Sequence, residues 1–184
     1  MEELQIRLAS EARSRLENAR PPGIPELLWQ VELDFLCEML QNWLVFEINR
    51  SHEGLAPAYV ELTFGQLPKA QLPAYRVVAG RHTFDFRGRI DRIDLSADGT
   101  RARILDYKVG VLPKTMEGKE RISLMAGEQM QLAVYRAALS GLPELSGVSS
   151  VQGEFLHLQP RDGRTVSCSF DPQELVKGVD HLPG

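Results

Sequence analysis

The 184-residue chain, 43% hydrophobic and 25% charged, lies in the range of ordinary globular proteins, which excludes collagen-like and disordered chains and leaves room for one domain with a sizeable core. Its net charge of −4 at pH 7 argues, taken as one number, against a surface built wholly to grip nucleic acid. Two distant cysteines, Cys37 and Cys168, an acidic N-terminus (Met1-Glu2-Glu3-Leu4) and no apolar run near the roughly 18 residues of a membrane span give neither a disulfide framework nor a signal or membrane segment. A reducing cytoplasm is the expected compartment.

The first sixty residues read as helix. Leu4, Ile6, Leu8 and Leu16 among Glu and Arg make a weak amphipathic helix that ends at Pro21-Pro22-Gly23. From Pro25, placed as a first-turn proline, Leu28, Val31, Phe35, Leu36, Met39, Trp43 and Phe46 recur at three- and four-residue steps and predict one face turned to a core.

After Ser51-His52-Glu53-Gly54 the period becomes extended. Tyr59–Phe64 and Tyr75–Val78 read as short strands. His82–Leu95 and Arg101–Lys108 are β-favouring runs joined through Asp98-Gly99, the preferred pair for a tight hairpin turn. Residues 127–140 return to helix, and two strands, 148–158 and 165–170, follow. Asp171-Pro172 starts a last helix as N-cap and N1. The order predicts an α/β fold, a mixed sheet flanked by helices, in one domain. Residues 1–56 form its helical part and 57–184 its sheet core, with 127–140 as the helix of that core.

Charge is unevenly spread. Residues 76–121 carry 11 basic and 7 acidic side chains, whereas the segments on either side are neutral or acidic. With Asp98 and Gly99 as turn residues, Leu95 faces Ala102, Ile93 faces Ile104 and Asp91 faces Asp106, about 4.5–5.5 Å apart. Strand alternation adds Lys108 to the face of Asp106 and Arg89 to that of Asp91. Like charges directly opposite destabilise a sheet unless something positive sits between them, and a hard divalent cation that takes one or two carboxylates and waters answers the need. Lys108 is then placed to deprotonate or orient a water, or to stabilise the charge of a phosphoryl transition state. Solvated strand carboxylates paired by Lys108 and Arg89 are the ordinary alternative.

The flanking residues bear on that choice. Gly88-Arg89-Ile90-Asp91-Arg92-Ile93-Asp94, Ile104-Leu105-Asp106-Tyr107-Lys108-Val109-Gly110 and Gln131-Leu132-Ala133-Val134-Tyr135 resemble, in order and spacing, three signature blocks of the RecB-like branch of the PD-(D/E)xK nucleases. The resemblance spans roughly residues 58–140. It implies a restriction-endonuclease-like core and a DNA exonuclease dependent on Mg²⁺ or Mn²⁺ in recombination and repair. Asp91, Asp106 and the backbone carbonyl of Tyr107 would be metal ligands, Lys108 the motif lysine, and Gln131 and Tyr135 the helix pair bordering the site. Glu61 falls where family members often place a strand glutamate, read here as a partner for Lys108 or Arg89. Arg87, Arg89, Arg92, Arg101, Arg103, Lys114 and Lys119 would supply a positive field beside the phosphate backbone. DNA is the implied partner, with a helicase domain or subunit beside it, and no membrane.

Two family features are absent. No G-x-x-x-H-like block precedes Glu61, and His52 stands too near the strand, while His82, His157 and His181 read as surface or packing residues. The cysteines of an iron–sulfur centre are missing, so none is expected. These gaps predict a fragment truncated at both ends. The competing reading is a catalytically impaired nuclease fold kept for DNA-end binding or subunit docking. Residues 109–126 read as a mobile loop beside the site.

Overall fold

A computed structural model describes residues 2–65, 70–79, 81–109, 130–158 and 165–170. The expected loop at 109–126, all but its first residue, the last helix from Asp171, and the side chains of Cys168, Lys114 and Lys119 lie outside the described parts. By Cα packing the chain divides into two compact units. One is Met1–His52, Lys108–Pro113 and His157–Val166; the other is Glu53–Tyr107, Lys114–Leu156 and Ser167–Gly184.

The first unit is built on a helical hairpin of α1 (Glu2–Leu16) and α2 (Glu26–Asn49). Pro25 is the N-cap of α2 and not a first-turn residue: its ψ of 145° is extended, and helical geometry begins one residue later. The two helices are joined by polar contacts. Arg13 pairs with Asp34 and donates to Gln30 at 3.2 Å, the Cys37 thiol donates to the Ala9 carbonyl, and Gln41 donates to that of Gln5. The buried residues of α2 are Trp29, Leu33, Cys37 and Met39, whereas Leu28, Val31 and Phe35 are 59%, 44% and 42% exposed. The expected apolar stripe is therefore corrected by about a quarter turn over its first half. The helix is apolar on several faces, so α1, which docks along Gln30, Asp34, Cys37 and Gln41, and not periodicity, selects which positions lie inside.

The second unit carries most of the sheet. β1 (Leu55–Phe64), β4 (Gly88–Ser96), β5 (Arg101–Val109), β6 (Ser150–Leu158) and β7 (Thr165–Phe170) stand side by side in that order, and β2 (Tyr75–Ala79) with β3 (His82–Phe86) forms a separate antiparallel ribbon. The β-favouring run at His82–Leu95 is thus two strands belonging to two sheets, broken at Arg87. Between neighbours β5 and β6 the chain passes through α3 (Met130–Ala138). Leu132, Ala133, Tyr135 and Ala138 make the buried stripe of α3, and with Leu62, Phe64, Ile90, Ile93, Ile104, Leu105 and Leu156 they form the core of this unit. Each such leucine, isoleucine or phenylalanine contributes about 1.5–3 kcal/mol by leaving water. The result is the mixed α/β sheet fold expected of the sequence.

The hairpin register is the predicted one from Leu95↔Ala102 through Asp94↔Arg103 and Ile93↔Ile104 to Arg92↔Leu105, where the antiparallel ladder ends one residue short of the expected Asp91 and Asp106 pair. Its loop is four residues, 97–100, and not two. The Gly99 N–H closes on the Ser96 carbonyl at 2.9 Å with Gly99 at φ +69°, a conformation that favours glycine. Two extra residues, one per strand, leave the register sum unchanged.

Asp98 caps this loop. Its carboxylate accepts from Ser96 Oγ at 2.6 Å and from the Thr100 N–H and hydroxyl at 3.0 and 2.8 Å. These bonds, that of Ser96 first, lower its pKa from 3.8 to about 2. A depressed carboxylate pKa contributes stability that is present above the unfolded value and lost as the pH falls through the folded one. The loop is therefore expected to keep its conformation at pH 3, and a carbon-detected titration of the Asp98 carboxyl should give a midpoint near 2; a midpoint near 4 would show that the cap is open in solution.

Candidate active site

β4, β5 and α3 bring the three sequence blocks together in the second unit. At the end of the β4–β5 ladder the Asp91 carboxylate accepts the Tyr107 N–H through Oδ2 at 2.8 Å. Side chain thus replaces backbone in the bond, and Asp91 is locked in one orientation against β5. Asp106, buried at 2% exposure, accepts from Gln131 Nε2 at 2.7 Å. The same amide donates to the Tyr135 hydroxyl at 2.6 Å, so both Gln131 amide hydrogens are spent on the two groups. The one-turn separation of Gln131 and Tyr135 on α3 makes this fork geometrically natural.

Tyr135 reports on the surroundings. Burial pushes its hydroxyl above the ordinary phenol range; the Gln131 bond works against this, Asp106 and Asp91 add to it, and Arg89 again opposes it. Asp106 and the phenol oxygen meet on the one Gln131 amide. The ring packs edge to face on Phe64, with centroids 6.0 Å apart and planes at 87°. A Cβ at Gly88 would stand 2.9 Å from Phe64 Cε1 and 3.4 Å from Tyr135 Cε1, so the glycine that opens the first block is what lets this ring pair lie across β4.

Glu61 pairs with Arg89, Oε2 to Nε at 2.8 Å, with both side chains more than half exposed. Of the two partners considered for Glu61, this is the one the structure gives. The register of β1 on β4, Val60↔Arg92 and Leu62↔Ile90, places Glu61 across from Asp91. Its φ of +54° is left-handed and unusual for a side chain larger than asparagine, costing about 1 kcal/mol or more. The conformation goes with a turn away from a like charge towards a guanidinium.

Lys108 lies two residues beyond Asp106 on the same strand, in the first of the two units, where its charge adds to burial in holding the His157 imidazole below its ordinary pKa. His157 is buried, a packing residue as expected, and His52 and His82 are exposed.

Two expectations about charge are corrected. Arg92 and Arg103 are 7% and 2% exposed and do not belong to a surface field. Asp94, fully buried, takes Arg92 through two bonds at 2.5 and 2.9 Å and Arg103 through one at 2.9 Å, while Glu53 and, at 3.9 Å, Glu154 complete the balance on Arg103. Burial alone would lower the Arg103 pKa, but Asp94, Glu154 and Glu53 raise it. Arg92 also donates to the Tyr107 hydroxyl at 3.0 Å, so the residue whose N–H holds Asp91 is itself held from below by this network. Arg87, Arg89 and Arg101 are exposed and keep the surface role open, although Arg101 also donates to the Glu53 carbonyl.

The donor chemistry of the cluster is hard oxygen: two carboxylates, with the carbonyl of Tyr107 on the strand between Asp106 and Lys108. Among the described residues no group of three or more His, Cys, Asp or Glu could hold a metal ion. Such a set suits a hydrated hard divalent cation, which takes one or two carboxylates and keeps several waters, better than a zinc-type cage.

No curated protein matches the chain at a significant level. The crystal structure of SSO0001 is similar to it over 96% of this chain and 67% of that one, at 14% identity and a TM-score of 0.36. The family model described as the PD-(D/E)XK nuclease superfamily matches residues 1–178, nearly the whole length. The chain therefore belongs to the PD-(D/E)XK nuclease superfamily.

Proposed function

We propose that the chain is a Mg²⁺-dependent DNA exonuclease domain of the RecB branch, acting in recombination and repair beside a helicase domain or subunit. The observation that supports this most is the junction of the three blocks through two bonds, Asp91 to the Tyr107 N–H and Gln131 to Asp106. Mg²⁺, or Mn²⁺ in its place, would be held by Asp91, Asp106 and the Tyr107 carbonyl, and when bound supplies positive charge to the scissile phosphate and an activated water.

The chain's own residues have separate tasks. The Tyr107 N–H fixes one oxygen of Asp91 and leaves the other for a ligand. Gln131 fixes one oxygen of Asp106, and the two bonds keep both carboxylates aimed without a search through rotamers. Strand alternation puts Lys108 on the Asp106 face, where an ammonium can orient the attacking water or neutralise charge on the phosphate. The Tyr135 oxygen already accepts from Gln131, so its proton is available for a carboxylate or phosphate oxygen. Arg89, exposed and held among the described residues by the surface pair with Glu61, can exchange that partner for a phosphate at little cost.

The test is digestion of end-labelled linear single- and double-stranded DNA, with covalently closed circular DNA as the control for internal cleavage. Products are expected from the linear forms in Mg²⁺ and none in EDTA, and Lys108→Ala should slow the reaction by about a hundredfold or more. Retained DNA binding without cleavage would assign the chain the non-catalytic role instead.

A further inference from the structure

Beyond Tyr135 the surface of the second unit is not flat. The end of α3 and the turns that follow it enclose, with β2 and the start of β6, a cavity of about 520 Å³. That is the size of a small-molecule site. Its walls are apolar, Leu139, Leu142 and Val151 among them, and carry one charged side chain, Arg136, and one aromatic ring, Tyr75. The Arg136 Nε is buried and has no hydrogen-bond partner among the described residues. The Tyr75 ring is braced by Phe86, with centroids 6.3 Å apart. A guanidinium short of an acceptor, a fixed aromatic ring and apolar walls together call for a ligand with an anionic group and a flat, weakly polar body. Arg136 follows Tyr135 directly in α3, its side chain turned about 100° further round the helix, so the helix that carries Gln131 and Tyr135 to the carboxylates also forms one wall of the cavity.

We infer that this cavity is a subsite for one unpaired nucleotide of a single strand leading to or from the candidate active site, its base against Tyr75 and its phosphate on Arg136. The inference rests on the nuclease reading for the source of the strand. Stacking on an aromatic ring accepts any base and gives a single strand an advantage that a duplex, whose bases are already stacked, cannot share.

The test measures binding of fluorescein-labelled dT12, and of an abasic 12-mer with the same phosphates, by anisotropy in EDTA, with the melting temperature of each variant as the check on folding. Tyr75→Ala, and Ser146→Trp, which fills the cavity from its exposed rim, should each weaken dT12 binding about tenfold and leave the abasic strand unchanged. Arg136→Gln should weaken both. Folded variants that bind dT12 as the wild type does would overturn the subsite, whether or not the wild type cleaves DNA in Mg²⁺. Weakened dT12 binding in a protein that never cleaves would support the subsite and count against the nuclease reading alone.

Discussion

Asp91→Asn should abolish cleavage, by on the order of a thousandfold, while leaving the melting temperature nearly unchanged. The two halves of this expectation come from different oxygens. The asparagine carbonyl still accepts the Tyr107 N–H that Asp91 accepts at 2.8 Å, so the tie between β4 and β5 persists. What is lost is the negative charge that a divalent cation would require. Asp91→Ala removes both, and should add a loss of about 1 kcal/mol, or some 2–4 °C in a chain of this length, to the same loss of activity. Calorimetric titration with Mn²⁺ checks the cause independently of turnover: the wild type should bind and both variants should not. An Asp91→Asn protein that cleaves within a few-fold of the wild type would remove Asp91 from the metal site.

The largest effect on stability is expected at Asp94. Asp94→Ala leaves Arg92 and Arg103, 7% and 2% exposed, facing each other without the carboxylate that holds both. Stranding a buried charge in this way costs about 3–5 kcal/mol. For a chain of this length that is roughly 10 °C or more in melting temperature by calorimetry or circular dichroism. The triple replacement Asp94→Leu, Arg92→Met and Arg103→Met should recover most of the loss, because apolar side chains of similar volume carry no desolvation penalty. A drop below about 2 °C for Asp94→Ala would mean that water reaches these groups.

The same residues show how far the sequence could be read. The β4–β5 register was legible because the Asp98-Gly99 turn between two β-favouring runs leaves few ways to close them; even the longer loop kept its parity. Gln131 and Tyr135 were legible because a separation of four on a helix guarantees a shared face. Arg92 and Arg103 were not. Each is surrounded in sequence by a basic block and reads as surface, but the carboxylates that bury them, Glu53, Asp94 and Glu154, come from three different parts of the chain. Only the sheet order, which sets β4 and β6 on either side of β5, and the turn at Glu53 ahead of β1 bring these carboxylates close enough to neutralise one guanidinium from both sides. The misplaced face of α2 has a related origin. A helix with apolar residues on most of its circumference leaves the choice of inside to its neighbour, and the docking of α1 through Arg13, Cys37 and Gln41 is a tertiary fact. Arg136 gave no signal at all, since its importance depends on a cavity whose walls are drawn from residues 75 to 151.

Salt separates two kinds of charge in this molecule. Raising ionic strength from about 0.1 M to 1 M shortens the screening length from roughly 10 Å to 3 Å, but only where counterions can approach. They reach Arg89 and Glu61, both more than half exposed, and they do not reach the fully buried Asp94. Brine should therefore strip a polyanion from this surface long before it loosens the scaffold beneath, so that binding and folding can be titrated apart in a single series of buffers.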